Sequence, residues 1–392
     1  MAQTSIGHKT LWHADFLKII LANFCVCTSL YMFLPVAPVC MGRIPGEDVG
    51  GMCASVLLFW VGVCLPAPFC NYWLDAYRRK NVALWALAGI VCATVAFLFD
   101  GPQWGKWLAR MMQGASYSVF QIALGSTLLL DLSDTKKRTE AAHVYYWFTR
   151  LALVFGPLSG IVVPMHYGVR LFAGVSVAFL LCAGLLVLTM RVPFRAPLEP
   201  SWCTFDRFWL PRGFRLFIPL AGVTFSAGLM LGQYRDAGFY LFLAVGFWLA
   251  LWGHHLFFKE KLQTEFAVGF VALVTSASLW GLGGDMEGMK WCIALCLGSG
   301  LGFVTSRYLL SYIRICEHCE RGTAQTSYLL GWDAGLLAGY SVAFGLGTEV
   351  GQTIYTYIIG AIFVGTGMYH LFLVRPWYMR NKIGRASCRE RV

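Results

Sequence analysis

The sequence predicts an all-α polytopic membrane protein with twelve transmembrane helices. Three observations lead there. The chain has 392 residues, of which 58% are hydrophobic and 13% charged, against about 25% charged in an average soluble domain. Its mean hydropathy is +0.61. Its apolar residues gather into twelve segments, and its Lys and Arg gather between alternate ones. Such a composition excludes a disordered chain, a small disulfide scaffold and an ordinary soluble enzyme. A span takes about 20 residues, so twelve use about 240 and leave no room for a sizeable domain outside the membrane.

The segments run over 16–38, 51–71, 82–99, 106–130, 141–164, 169–190, 215–233, 237–257, 266–282, 291–311, 324–347 and 353–374. The first follows fifteen polar residues and carries no small-residue cleavage pattern, so it reads as a span and not as a signal peptide. Most of the others are too long and continuous for strands, and the alternation of a membrane barrel is missing. Glycine, with 42 copies, suits close helix packing in lipid.

Charge sets the orientation. With the N-terminus inside, nineteen Lys and Arg fall on the inner side, among them Arg78, Arg79, Lys80, Lys136, Lys137 and Arg138. Five fall outside: Arg43, Lys106, Arg170, Arg235 and Lys290. This asymmetry places both termini in the cytoplasm, in a multi-pass protein of the cell (inner) membrane. It also accounts for the net charge of +11 without a nucleic-acid partner.

The proline-rich stretch 191–214 divides the segments six and six. The expected organisation is a bundle over 1–190, a cytoplasmic linker over 191–214 and a second bundle over 215–382. Residues 383–392 resemble the translation of a sequencing adapter and are set aside as an artefact. A constant offset of 183 places Arg138 on Arg321, Ala141 on Ala324, Arg150 on Asp333 and Gly156 on Gly339. Internal repeats of this kind are common in membrane transporters.

Three local patterns sharpen the reading. The loop Asn71-Tyr-Trp-Leu-Asp75-Ala-Tyr-Arg78-Arg79-Lys80 follows the second segment. Arg110-Met-Met-Gln113-Gly114 lies in the fourth, and Gly156-Pro157-Leu-Ser-Gly160 in the fifth. The first resembles the Gly-x-x-x-Asp-Arg-x-Gly-Arg-Arg/Lys loop of the major facilitator superfamily, with Asn71, Ala76 and Arg78 departing from it. The second is similar to that family's Arg-x-x-Gln-Gly, and the third to the Gly-Pro-x-x-Gly that the family associates with exporters. The start of the first segment, with Asn23, Tyr31, Pro35 and Pro38, resembles its sugar and drug efflux members. The resemblance implies two pseudo-symmetric six-helix bundles that rock about a central site.

Charges inside a bilayer are costly and each needs a reason. Arg110 is a candidate anion contact or a neighbour of a proton site, or else a structural hydrogen-bond hub. Arg150, about 14 Å into its helix at 1.5 Å per residue, could bind an anion or pair with a carboxylate across the bundles. Asp333 is the sole carboxylate deep in a predicted span, and a buried acid is what a proton carrier needs. Lys18 and Arg307 lie near helix ends and are expected to snorkel, and His254 and His255 are expected to be solvated. Asp75, Arg79, Lys80 and Asp131, with Gly156, Pro157 and Gly160, are candidate gating residues. Asn23, Tyr31, Gln113, Tyr117, Gln121, Trp332 and Tyr340 are candidate cavity positions, since aromatic walls with a few polar groups suit an amphipathic organic molecule.

Several patterns carry no chemistry of their own. Cys316-Glu-His318-Cys319 is half a zinc site at best. A Cys40 to Cys53 disulfide is disfavoured. Gly298-Ser-Gly300-Leu-Gly302 follows no strand and reads as helix packing, not dinucleotide binding. The expectation is a secondary transporter without metal or cofactor, a monomer in the lipid bilayer, coupled to protons and exporting a small organic solute. An importer or facilitator for sugars, peptides or nucleosides is the alternative within transport. A membrane-embedded transferase would need clustered carboxylates and His at one face, which the sequence lacks.

Overall fold

The computed structural model describes residues 11–35, 49–98, 102–192, 202–256, 262–283, 286–317, 319–346 and 352–382. Cys40, Pro38, His318, residues 193–201 of the linker and the stretch 383–392 lie outside them. In lipid every backbone N–H and C=O must be satisfied within the chain, which leaves helices as the structure available to these apolar runs. Twelve long helices form among the described residues, with a short helix, Cys70–Ala76, after the second. The first bundle holds α1 (Ala14–Pro35), α2 (Val49–Cys64), α3 (Arg79–Leu98), α4 (Gln103–Leu132), α5 (Arg138–Gly168) and α6 (Arg170–Leu188). The second holds α7 (Phe214–Gln233), α8 (Ala237–Leu256), α9 (Leu262–Gly283), α10 (Glu287–Ile315), α11 (Arg321–Leu346) and α12 (Thr353–Asn381).

The polarity of the molecule is inverted relative to a soluble protein. Asn23, Gln113, Arg150, Glu265 and Asp333 are buried, whereas Trp85, Leu181, Leu185, Val271 and Phe372 are exposed. An exposed apolar surface of this extent belongs against lipid.

The helix pairing repeats between the halves. α1 packs on α5 and α7 on α11; α2 packs on α4 and α8 on α10; α3 packs on α4 and α9 on α10. Glycine sets the closest approaches. A Cβ on Gly114 would stand 1.9 Å from the Phe59 carbonyl oxygen of α2, and one on Gly298 would stand 2.3 Å from the Leu243 carbonyl oxygen of α8. These two crossings are equivalent contacts of the two bundles. Helix packing is therefore the use of the Gly298 run. Gly168, at φ 81°, takes the left-handed conformation that divides α5 from α6 without a loop.

Two helix boundaries depart from the sequence expectation. α9 begins at Leu262, so Glu265 lies inside a helix and is 1% exposed. α4 carries a π-helical stretch over Ile122–Leu128, a widening found frequently at functional sites. Between the bundles, α11 lies on α2 and on this stretch of α4, and α8 lies on α5. Helix ends that share a face with the two chain ends define the terminus-bearing face.

Candidate transport site

Asp333 stands twelve residues into α11, about 18 Å along it at 1.5 Å per residue. It is fully buried between the bundles, with the hydroxyls of Tyr31 and Tyr117 beside its carboxyl group. Its Oδ2 has no hydrogen-bond partner in the protein among the described residues, and neither has the Tyr117 hydroxyl. Two narrow cavities meet at Asp333 and Tyr117. One, of about 20 Å³, lies toward the face opposite the termini and is lined also by Cys27, Tyr31, Phe59 and Arg110. The other, of about 10 Å³, lies toward the terminus-bearing face and is lined also by Val63, Ser118, Gln121, Phe208 and Thr326. The first is wide enough for a water, and neither admits an organic solute.

Around this centre the first bundle is held by a continuous polar network. Gln121 Nε2 donates to Asn23 Oδ1 at 2.8 Å, Asn23 Nδ2 donates to Thr149 Oγ1 at 2.8 Å, and the Tyr145 hydroxyl donates to Gln121 Oε1 at 2.7 Å. The network ties α1, α4 and α5 together. Gln113 stands apart from the cavities: its Nε2 donates to Thr94 Oγ1 at 2.7 Å, and it accepts from Arg110 at 2.6 Å. The Arg110 guanidinium lies 5.2 to 5.8 Å from the ring centres of Phe33, Phe59 and Phe97 while it lines the first of these cavities. Its hydrogen bond and its ring contacts together hold a charge out of water.

Arg150 crosses the bundle interface, but not to a carboxylate. Its Nε donates to Thr305 Oγ1 of α10 at 3.0 Å, and a terminal nitrogen donates to the Tyr328 hydroxyl of α11 at 3.0 Å. Its guanidinium stacks 4.9 Å from the Trp147 ring centre. Of the other sequence candidates, Trp332 donates to the Tyr31 hydroxyl at 3.3 Å, and Tyr340 meets the Tyr240 hydroxyl at 3.2 Å. Asn23, Gln113, Trp332 and Tyr340 are thus packing and network positions beside the cavities and not parts of their walls. Gly156 and Gly160 form the α5 side of the α1 crossing, against Tyr31 and the Met32 carbonyl, with Pro157 within the same helix.

The terminus-bearing face carries an ion-pair chain. Arg79 pairs closely with Asp131 and stands 3.9 Å from Asp75, which accepts from Arg207 at 2.6 Å. Burial draws the Arg207 guanidinium down from its ordinary value, while Asp75 and Asp131 oppose that shift. Lys80 does not join the chain. It donates to the Leu188 and Met190 carbonyl oxygens at 2.7 and 2.9 Å, a correction to its expected gating contact. There the ammonium satisfies free carbonyls at the C-terminus of α6, where a cation is favoured by the helix dipole.

A second cluster corrects two further expectations. Arg307 does not snorkel but pairs closely with the buried Glu265, and it contacts His254 Nδ1 at 2.7 Å. His254 also lies 3.0 Å from Glu265, so it is partnered and not merely solvated. Lys18 reaches Asp15 at 3.2 Å and the Thr189 carbonyl at 2.8 Å. The Cys53 thiol donates to the Ser341 carbonyl at 3.1 Å. No group of three potential metal ligands occurs among the described residues.

Twelve long helices in two repeated bundles about a buried centre define the architecture of a membrane transporter. The family model of the Major Facilitator Superfamily matches residues 19–340, and the chain belongs to that family. No curated protein matches it in sequence. Among solved structures, the POT family transporter PepTSo is similar with a TM-score of 0.70 and 11% identity, over 95% of this chain and 99% of that one. A bacterial homologue of the iron transporter ferroportin, in its outward-facing state, has a TM-score of 0.65 and 15% identity, over 92% and 99%. The human organic anion transporter MFSD10 has a TM-score of 0.64 and 13% identity, over 91% and 98%. At these identities the likeness is one of fold.

Proposed function

We propose that this membrane transporter is a secondary active carrier, working by alternating access, that couples proton movement through Asp333 to export of a small organic solute. One observation carries the coupling: the Asp333 carboxyl stands where two water-sized cavities, one on each side of it, meet, with an oxygen left unpartnered among the described residues. A buried acid there can take a proton from one side and release it to the other as the bundles rock. Arg110, Arg150, Tyr31, Tyr117 and Gln121 are the groups available to a solute once the cavities widen. The ion pairs of Asp75, Arg79 and Asp131, with the α1 and α5 crossing at Gly156, Pro157 and Gly160, gate access. Export rests on the Gly156-Pro157-Leu-Ser-Gly160 resemblance. The charge asymmetry supports cytoplasmic termini in the cell (inner) membrane, and nothing in the reading calls for more than a monomer.

The test is flux in reconstituted vesicles, after a thermal-shift screen of organic solutes on the purified protein. Solute movement driven by an imposed pH gradient should occur with the wild type and vanish in Asp333→Asn. Equal gradient-driven flux in both would overturn the coupling role. The direction of flux relative to the inserted orientation separates export from import.

A further inference from the structure

Residues 202–210, a described stretch of the segment joining the bundles, are more than a tether. Phe208 is 6% exposed. It lines the cavity on the terminus-bearing side of Asp333, facing Val63 of α2, Ser118 and Gln121 of α4, and Thr326 and Leu330 of α11. A side chain from a connecting segment thus occupies the seam where both bundles meet below the proposed proton site.

The same segment is attached to both bundles. Toward the first, Thr204 N donates to the Pro68 carbonyl at 3.0 Å, and Arg207 donates to Asn71 at 2.7 Å and to Asp75 at 2.6 Å. The Trp202 ring stacks on Tyr72 at 4.7 Å. Toward the second, Thr323 donates to the Asp206 carbonyl, and Leu210 N donates to Ser327 Oγ at 2.7 Å. Opening this face requires α2 and α4 to part from α11, and that motion must break one of the two sets. The segment continues directly into α7. The contacts to the first bundle are therefore the set that breaks.

We propose that Phe208 is the plug and Arg207 the bolt that close the cavity beneath Asp333 on the terminus-bearing face. The proposal rests on the alternating-access reading above. Arg207 joins Asp75 of the stretch whose resemblance lacks an Arg at Ala76, a stretch expected to be a loop that forms a short helix over Cys70–Ala76. In the open state the Arg207 and Asp75 charges pass into water, where each is solvated, so the bolt can reopen without stranding a buried ion. Phe208 leaves with the second bundle, withdrawing an apolar side chain from between Ser118 and Thr326.

The test is labelling of Ser118→Cys in oriented membrane vesicles by a charged, membrane-impermeant maleimide. Mass spectrometry reads the peptide carrying position 118, so the native cysteines do not interfere. From the terminus-bearing face, labelling should be slow with Phe208 in place and about tenfold faster with Phe208→Ala or Arg207→Ala, the fold-change of a 1.4 kcal/mol shift in a gating equilibrium. Phe208→Leu, which restores an apolar plug, should return it toward the slow rate. Labelling from the opposite face should not rise. An unchanged rate, or an equal rise from both faces, overturns the proposal, the latter by revealing general loosening. The readout needs no solute and no pH gradient. Loss of pH-driven flux with intact gating of the label would therefore count against the proton reading alone.

Discussion

The Arg150 guanidinium donates to the Tyr328 hydroxyl at 3.0 Å across the bundle interface, and no carboxylate among the described residues lies within ion-pair distance of it. One of its terminal nitrogens has no hydrogen-bond partner. Arg150 and Asp333 occupy positions related by the internal repeat, yet the fold gives each its own surroundings. The first bundle contributes a buried cation held by hydroxyls and the Trp147 ring, and the second contributes a buried acid with the Tyr31 and Tyr117 hydroxyls beside it.

This arrangement separates stability from transport at Arg150. A buried charge without a counter-ion is costly, and an apolar side chain of similar length removes the cost. Arg150→Met is expected to match or exceed the wild type in thermal stability in detergent while lowering transport at least tenfold. A fall in melting temperature of several degrees would show that the Thr305 and Tyr328 bonds outweigh the burial of the charge.

The Glu265 and Arg307 pair behaves in the opposite way. Glu265→Ala strands a buried guanidinium and is expected to cost about 3–5 kcal/mol in unfolding experiments. The double variant Glu265→Leu with Arg307→Met should recover most of that loss, because no charge is then left unpaired. Additive losses in the two single variants and the double would contradict the coupling.

The ion-pair chain on the terminus-bearing face predicts a bias in access. Asp131→Asn removes one acceptor from Arg79 and leaves Asp75 shared by two cations. Hydrogen bonds to charged groups contribute about 1.5–3 kcal/mol. The variant should therefore raise maleimide labelling of Ser118→Cys from that face by roughly tenfold or more. Lys80→Ala should leave labelling unchanged, because Lys80 bonds the α6 carbonyls and does not compete for Asp75, the acceptor of Arg207.

The glycine crossings predict equivalent damage in the two halves. Gly114→Leu and Gly298→Leu each push a side chain into a facing backbone carbonyl. Overpacking of this kind costs about 1–3 kcal/mol when the backbone can shift, and more when it cannot. Folded yield and melting temperature should drop for both. Gly174→Leu, where an added Cβ meets nothing within 4 Å, is the control and should leave both near the wild type.

Much of this molecule is legible in the sequence because lipid enforces simple rules. Length and hydropathy determine the spans, since an unpaired backbone group cannot stay in hydrocarbon. Asp333 stands out because a lone acid in an apolar run has no cheap explanation. Glu265 was one residue outside the expected ninth span, and its polar neighbours Gln263 and Thr264 mask it. The signal that could have found it is Arg307, an intramembrane cation about two turns from the end of α10 that needed a partner. Arg207 and Phe208 have no such signal, because a basic residue and an aromatic in a connecting segment look like ordinary interfacial anchors.

The sequence by itself determined the helix count, the repeat, the family and the residues whose burial demands a reason. Only the tertiary structure decided which of them meet. It placed Asp333 between two cavities, gave Arg150 hydroxyls where a carboxylate was an option, moved Lys80 to a helix end and brought Phe208 beneath the central acid. The physical reason is that hydropathy depends on each residue's own solvation and is read locally. Hydrogen bonds and ion pairs depend on which helices cross, and those crossings are set by side-chain packing between segments far apart in the chain.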